Sequence, residues 1–277
     1  MTDFYIKLIE KSGFEEALVR RSLDLATQID IHTLSRLFFD ENPCSLSDTG
    51  VLFLKEAFYP FGFYDELKKI CLPIEEASLY VYILLLEKAY DSFLSAINNE
   101  TIFFDTAKRI AESAREYFHD NGKYGLYDYH FLANHVRGSI LRLGEFEYQY
   151  SVTKNKKSIT LHVPNGANLE KSKRTDSYSL ARCYFGNHPI IGDSWLLYPP
   201  LFEMLSEDSK ILDFARDFDI LSVHETNDYK ELFHIFGRDA DYNNPQTLPQ
   251  KTSLQKAFAE RICNGLKIGS AVGVLKY

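Results

Sequence analysis

The chain has 277 residues, of which 45% are hydrophobic and 25% are charged, a composition typical of a globular protein with a large core. Its formal net charge is −8 at pH 7, which argues against nucleic acid or an anionic membrane as the main partner, because both require a basic surface. The four cysteines form no Cys-x-x-Cys pair and the N-terminus lacks the pattern of a signal peptide, so we expect a cytoplasmic protein without a disulfide framework or structural zinc.

Apolar residues recur with a period of about 3.6 through the first half of the chain, and this pattern predicts helices. Pro73, followed by Glu75 and Glu76, marks the start of the longest one, because proline and acidic residues suit a first helical turn. The longest apolar run, residues 79–86, lies inside this helix and is much shorter than the roughly 20 residues that span a bilayer. Helices are predicted over residues 14–28, 31–39, about 48–60, 74–97, 101–119 and 129–143.

From Gly144 onward the period changes from 3.6 to 2, which is typical of strands. Residues 145–152 and 158–163 predict a hairpin, and a helix is expected over 169–185. A buried strand with Ile190 and Ile191 then ends at Trp195, shortly before a double proline. The remaining predicted elements are a short helix at 200–205, a strand at 211–223, helices at 229–236 and 254–263, and a strand at 266–277.

This order of elements predicts an α+β fold with two domains. Residues 1–143 are expected to form a helical N-terminal domain. Residues 144–277 are expected to form a mixed β-sheet flanked by helices.

Several short motifs follow one another from residue 135 onward, and together they resemble a known family. They are HVRG at 135–138, LRLGEFE at 141–147, HVPNGANL at 162–169, SWLL at 194–197, DSKI at 208–211, FGR at 236–238 and TSLQKA at 252–257. The chain thereby resembles, most clearly over residues 75–277, a family of bacterial acyltransferases. These proteins join a helical N-terminal domain to a C-terminal domain like that of the GCN5-related N-acetyltransferases (GNAT).

The resemblance implies a GNAT-like domain over residues 144–277 that transfers an acyl group from acyl-CoA, as co-substrate, to an amine or hydroxyl of a small-molecule acceptor. Such a transfer needs a base, and histidine suits this role because its ordinary pKa lies near 6.5. His162 ends a strand before a Pro-Asn-Gly loop and is the candidate base. Ser194 is the candidate donor of a hydrogen bond to the thioester carbonyl or the leaving thiolate. The alternatives are that His162 only fixes the loop, that Ser194 is a turn residue, and that Trp195 belongs to the core.

The sequence does not assign the residues that bind coenzyme A. Acetyltransferases usually hold its pyrophosphate with an Arg/Gln-x-x-Gly-x-Gly/Ala signature between a strand and a helix, and no such signature is found at a junction of this kind. The glycine-rich residues 267–273 follow a predicted helix and are interpreted as a turn and a strand. Lys171, Lys173 and Arg174 either meet a phosphate or form a solvated helix face. A non-catalytic binding module that retains the GNAT-like fold is therefore the alternative function.

No metal site is expected. The histidines show no pair at metal-ligand spacing, since His130 and His135 are five residues apart, slightly outside the i, i+4 spacing of a helical zinc pair.

Overall fold

The computed structural model describes residues 1–39, 45–46, 52–53, 61–153 and 156–276. The chain forms two compact units, and three chain segments contribute to each. The first unit consists of Met1–Leu143, Glu147–Lys157 and Cys183–Gly186, and the second of Gly144–Phe146, Ser158–Arg182 and Asn187–Tyr277. The domain boundary at residue 143 stays a prediction.

The N-terminal part of the chain is mainly helical, as predicted. Its longest helix, α5, is buried over residues 77–86, which include the apolar run at residues 79–86. Among the described residues, no helix combines the length and the hydropathy that crossing a membrane would require. The elements are α1 (Asp3–Ser12), α2 (Glu16–Ala26), α3 (Ile31–Phe39), β1 (Ser45–Leu46), β2 (Leu52–Phe53), α4 (Phe61–Leu67), α5 (Ile74–Ile97), α6 (Glu100–Asn121), α7 (Tyr129–Val136) and β3 (Ile140–Leu143).

The rest of the chain contains both strands and helices. They are β4 (Phe146–Thr153), β5 (Lys156–His162), α8 (Lys171–Phe185), β6 (Ile190–Ser194), α9 (Leu201–Met204), α10 (Lys210–Ala215), β7 (Phe218–Thr226), α11 (Phe233–Phe236), α12 (Ser253–Cys263) and β8 (Ile268–Leu275). Strands β3 to β8 form one mixed sheet in the order β3-β4-β5-β6-β8-β7, while β1 and β2 pair separately. In the main sheet, β5 and β6 are parallel, and β8 is antiparallel to both β6 and β7. The predicted α+β class with a mixed sheet is confirmed.

Two of the predicted elements are partly wrong. The helix predicted over 129–143 ends at Val136, because Gly138 has a φ of +68°, which a right-handed helix does not accommodate. The residues after it form β3. The strand predicted over 211–223 begins only at Phe218, because residues 210–215 form α10, in which Leu212 and Ala215 are both buried one turn apart.

Three further differences concern the first unit. Most of the helix predicted over about 48–60 lies outside the described residues, and the two described residues within it, Leu52 and Phe53, form β2. Helices α1 and α4 were not predicted, although both bury apolar side chains, among them Leu8 and Phe63.

A cluster of charged groups fixes the start of α6 in the first unit. The side chain of Asn99 caps this helix by accepting hydrogen bonds from the backbone amides of its first turn. Glu100 accepts hydrogen bonds from Lys7 and Lys11 of α1, with a Lys7 Nζ–Oε1 distance of 2.7 Å, and from the hydroxyl of Tyr90. Hydrogen bonds from Lys11, Lys7 and Tyr90 lower the pKa of the Glu100 carboxyl to about 2. The cluster therefore joins α1 to the start of α6.

The first unit should accordingly lose stability in acid through Glu100. Because its folded pKa is depressed from 4.5 to about 2, the contribution is fully present above about pH 4.5 and is lost as the pH falls towards 2. We expect Glu100→Gln to be less stable than the parent at pH 7 but to lose less stability between pH 5 and pH 2, as measured by denaturant unfolding. Glu16→Gln, which removes an exposed pair with Arg20, is the matched control. An equal loss in the parent and Glu100→Gln would contradict the assignment.

Three glycines allow close packing around strands β6 and β8 of the second unit. Gly192 of β6 lies opposite Gly273 of β8, and a Cβ on either would stand 3.2–3.3 Å from the side chain of Leu197 and 3.1–3.3 Å from that of Phe218. A Cβ on Gly269 would stand 2.1 Å from the carbonyl oxygen of His224. The glycines of β8 therefore serve strand packing, which supports the interpretation of residues 267–273 as a turn and a strand.

Strand β7 forms one edge of the sheet. Its first residue, Phe218, is buried, whereas Ile220, Leu221 and Val223 expose 40% or more of their surface. An irregularity between Ile220 and Ser222 interrupts its pairing with β8. The apolar side chains of β7 thus lie on an irregular edge strand.

Candidate functional site

The parallel pair of β5 and β6 brings two predicted site residues to one edge of the sheet. The ladder between these strands runs from Ile159–Ile190 to Leu161–Gly192. His162 is the last residue of β5 and Ser194 the last residue of β6. Because the strands are parallel, both residues lie at the carboxyl edge of the sheet, which is where ligands bind in open α/β sheets.

Asp193 lies on the same face of the sheet as His162, whereas Ser194 lies on the opposite face. Opposite residues in a ladder share a face, and successive residues along a strand alternate between faces. Leu161 and Gly192 are opposite each other. The next residues, His162 on β5 and Asp193 on β6, therefore both point to the other face. Ser194 then returns to the face of Gly192.

Asp193 is part of a polar row across three strands. The Oγ of Ser270 on β8 donates a hydrogen bond to Oδ1 of Asp193 at 3.2 Å. His224 of β7 lies opposite Ser270 in the next ladder. Asp193 is exposed, and both His162 and Ser270 are partly exposed, so this face is open to a ligand. Asp193 is not among the site residues predicted from the sequence, since only the pairing of β5 with β6 relates it to His162.

Ser194 and Trp195 have different environments although they are adjacent. The Oγ of Ser194 accepts a hydrogen bond from the backbone amide of Leu196 at 3.1 Å and caps the 3-10 turn Trp195–Leu197. The ring of Trp195 is partly buried and packs edge-on against Phe258, with ring centroids 6.1 Å apart. Trp195 therefore belongs to the hydrophobic core beside the site, whereas Ser194 combines a capping role with a place at the strand end.

The HVPNGANL motif forms the loop that connects β5 to α8, and this loop is a strand–helix junction. Within it, Gly166 has a φ of +76°, which favours glycine, and the amide of Ala167 donates to the carbonyl of Pro164 at 3.2 Å. Oδ1 of Asn168 accepts a hydrogen bond from the amide of Glu170 at 3.0 Å. The sequence lacks the usual phosphate-binding signature, but it places a glycine-containing loop at the position that this signature occupies.

The three basic residues at the start of α8 differ from one another in exposure. Lys171 and Lys173 are exposed, whereas Arg174 is only 1% exposed. Its guanidinium group binds the carboxylates of Asp213 and Asp217, each at 2.6 Å. Arg174 is thus neither part of a solvated face nor directly available to a phosphate.

Within the described ranges, no three His, Cys, Asp or Glu side chains come together in an arrangement that could hold a metal ion.

Comparison with known proteins identifies the family. The family described as the GNAT-like C-terminal domain matches residues 90–275. The chain belongs to this family. Its GNAT-like sheet thus carries the strand ends described above, and the resemblance seen in the sequence motifs is confirmed. No curated protein matches the chain.

Solved acyltransferase structures share the fold. One, in complex with decanoyl-CoA, is 27% identical with a TM-score of 0.63, over 72% of this chain and 65% of that one. Another, in complex with decanoyl-CoA and teicoplanin, is 23% identical with a TM-score of 0.65, over 73% and 67% of the two chains. A tryptophan-to-alanine acyltransferase mutant in complex with octanoyl-CoA is 18% identical with a TM-score of 0.75, over 99% and 88%. The fold of this third structure thus matches nearly the whole of this chain.

The packing of Trp195 leads to a testable expectation. Trp195→Ala should lower the free energy of unfolding by about 3 kcal/mol, because truncation removes apolar contacts and leaves a cavity beside Phe258. Phe202→Ala, at an aromatic residue that is 45% exposed, is the control and should have a much smaller effect. Both values are measured by urea unfolding. A Trp195→Ala protein that is as stable as the parent but inactive would instead place the ring in the site.

Proposed function

We propose that this chain is an acyl-CoA-dependent acyltransferase that transfers an acyl group to an amine or hydroxyl of a small-molecule acceptor. One observation carries the proposal: the ends of parallel strands β5 and β6, the loop after β5 and the start of α8 meet at one edge of a GNAT-like sheet. A solved acyltransferase 27% identical to this chain is in complex with decanoyl-CoA. Other solved acyltransferases of this fold are in complex with coenzyme A or acyl-CoA.

The phosphates of the donor would bind at the start of α8. The first four N–H groups of a helix have no partner within it, and the helix dipole favours an anion there. Helix α8 has 15 residues, and Lys171 and Lys173 are exposed in its first turn. At Gly166 in the preceding loop, the space where a Cβ would stand is open, and a glycine without a side chain would let a phosphate approach the backbone closely.

The transfer itself is a nucleophilic substitution at the thioester carbon. The acceptor nitrogen or oxygen attacks this carbon and gives a tetrahedral intermediate with a negatively charged oxygen. The C–S bond then breaks, the new amide or ester remains on the acceptor, and the thiolate of coenzyme A takes up a proton. The acceptor must lose one proton to a base during this sequence.

His162 is the proposed base, and Asp193 is the proposed partner of its ring. A neutral imidazole accepts the acceptor's proton, and a carboxylate on the same face of the sheet stabilises the resulting imidazolium. Ser194 points to the other face and accepts a hydrogen bond from the Leu196 amide, which leaves its own proton as a donor. We assign this donor to the thioester carbonyl or the leaving thiolate.

Binding of the donor is the first test. In thermal shift measurements, coenzyme A, acetyl-CoA, octanoyl-CoA and decanoyl-CoA should each raise the melting temperature of the protein. A ligand at 100 times its Kd stabilises the folded state by about 2.7 kcal/mol. The absence of any shift at millimolar concentration would contradict the proposal and favour the non-catalytic binding module.

Substitution of the base is the second test. His162→Ala should lower kcat/KM by about 100-fold, the scale of general base catalysis, with acyl-CoA binding retained. Asp193→Asn should lower it by about tenfold, because the imidazolium loses its negative partner. His32→Ala, at an exposed residue of α3, is the control and should match the parent. Unchanged turnover in a folded His162→Ala protein would remove His162 as the base.

A further inference from the structure

We infer that Arg174 and Glu145 are positioning residues of the donor site, which hold the segment Asn168–Leu169 so that the first turn of α8 presents its amides to the phosphates of coenzyme A. This inference rests on the proposed function. Neither side chain needs to touch the donor, because each acts through the backbone between the loop and the helix.

The buried side chain of Arg174 holds the end of the loop that precedes α8. Its Nη1 donates a hydrogen bond to the carbonyl oxygen of Leu169 at 2.8 Å. Its Nε donates to Asp217 at 2.6 Å, and its Nη2 donates to the side chain of Asp213 at 2.6 Å and to the backbone carbonyl of the same residue at 3.2 Å. The hydroxyl of Tyr178 also donates to Asp217, at 3.2 Å. Arg174 therefore ties the loop, α8 and the end of α10 together.

The chemistry of arginine suits this role. A guanidinium group is planar and carries five N–H donors in fixed directions, whereas the ammonium of lysine is a compact charge on a flexible stem. Burying a cation is costly unless its hydrogen bonds are made, and Arg174 makes four while being 1% exposed. Two carboxylates already neutralise its charge, so it orders the backbone rather than attracting the phosphate.

Glu145 fixes the same segment from the other side. It lies in the turn between β3 and β4, and its Oε2 accepts a hydrogen bond from the backbone amide of Asn168 at 3.0 Å. The turn packs directly on α8, because a Cβ on Gly144 would stand 3.2 Å from the Cβ of Ser177, and the amide of Phe146 donates to the Ser177 hydroxyl at 3.2 Å. The position of Asn168 is thus set by the β3–β4 turn.

These contacts hold the peptide between Leu169 and Glu170 at both ends. Its carbonyl accepts from Arg174, and its amide donates to the side chain of Asn168. The direction in which α8 begins follows from this fixed peptide. The N–H groups of the next residues, which have no partner within the helix, then keep one orientation towards an anion.

The experiment compares a donor with phosphates to one without them. Affinity for coenzyme A is measured by calorimetry, and turnover is measured with an acyl-pantetheine thioester, which has the same reacting group but no phosphate. Arg174→Gln and Glu145→Ala are the variants. Lys210→Gln is the matched control, because it removes an exposed ion pair with Glu170 at the same helix start without touching the peptide after Leu169. Circular dichroism checks that each variant is folded.

We expect Arg174→Gln to weaken coenzyme A binding by about tenfold and Glu145→Ala by several-fold, with turnover of the pantetheine thioester close to that of the parent. Lys210→Gln should leave both quantities unchanged. Glu145 is partly exposed, so its variant decides the question if Arg174→Gln does not fold. The inference alone is overturned if the folded variants bind coenzyme A as tightly as the parent does. It is also overturned if their turnover of the pantetheine thioester falls by the same factor as their affinity for coenzyme A. A parent protein that binds no coenzyme A overturns the proposed function and this inference with it.

Discussion

The parallel pairing of β5 with β6 is the constraint on which the candidate site depends. Two parallel strands cannot be joined by a tight turn, so the chain needs a crossover, and α8 supplies it. A crossover helix must begin at the edge where the first strand ends and return to the edge where the second begins. His162, the HVPNGANL loop, the start of α8 and the end of β6 are therefore brought to one edge by connectivity, before any side chain contributes.

Each unit also contains a buried charged side chain that is held by ionic partners. In the second unit this is Arg174 with two aspartates. In the first unit, Oε2 of Glu147 on β4 lies 3.1 Å from Nε2 of His135, and Nε of Arg109 lies 3.7 Å from Oε1. Burial alone would raise the pKa of Glu147, but His135 and Arg109 hold it below its usual range. Such pairs add little net stability, yet removing one partner leaves a buried charge, so they favour one arrangement of the elements.

Local signals in the sequence were sufficient for the long helices and for the general architecture. Pro73 and the following glutamates mark the start of α5, and Thr252 with Gln255 forms a capping box at the start of α12. Local patterns were misleading where one glycine decides between helix and strand, as at Gly138, and where a short helix precedes a strand, as at α10.

The finer details of the site depend on contacts between distant parts of the chain. Arg174 is one of three neighbouring basic residues in the sequence, and its carboxylate partners lie about 40 positions further on. Asp193 shares a face with His162 only through the strand register, which no local pattern specifies. The sequence alone predicted His162 at a strand end, whereas the positions of Asp193 and Arg174 near the same edge of the sheet became apparent only from the fold.

The position of β8 has a consequence for synthesis of the chain. This strand lies between β6 and β7, although it follows both of them in the sequence. Until the ribosome has released residues 268–275, β6 and β7 have no strand between them. Strand β7, with its exposed apolar residues, then has no neighbouring strand on either side. A nascent or proteolytically shortened chain without β8 would therefore expose two additional strand edges, one on β6 and one on β7, the kind of surface that aggregates or is captured by chaperones.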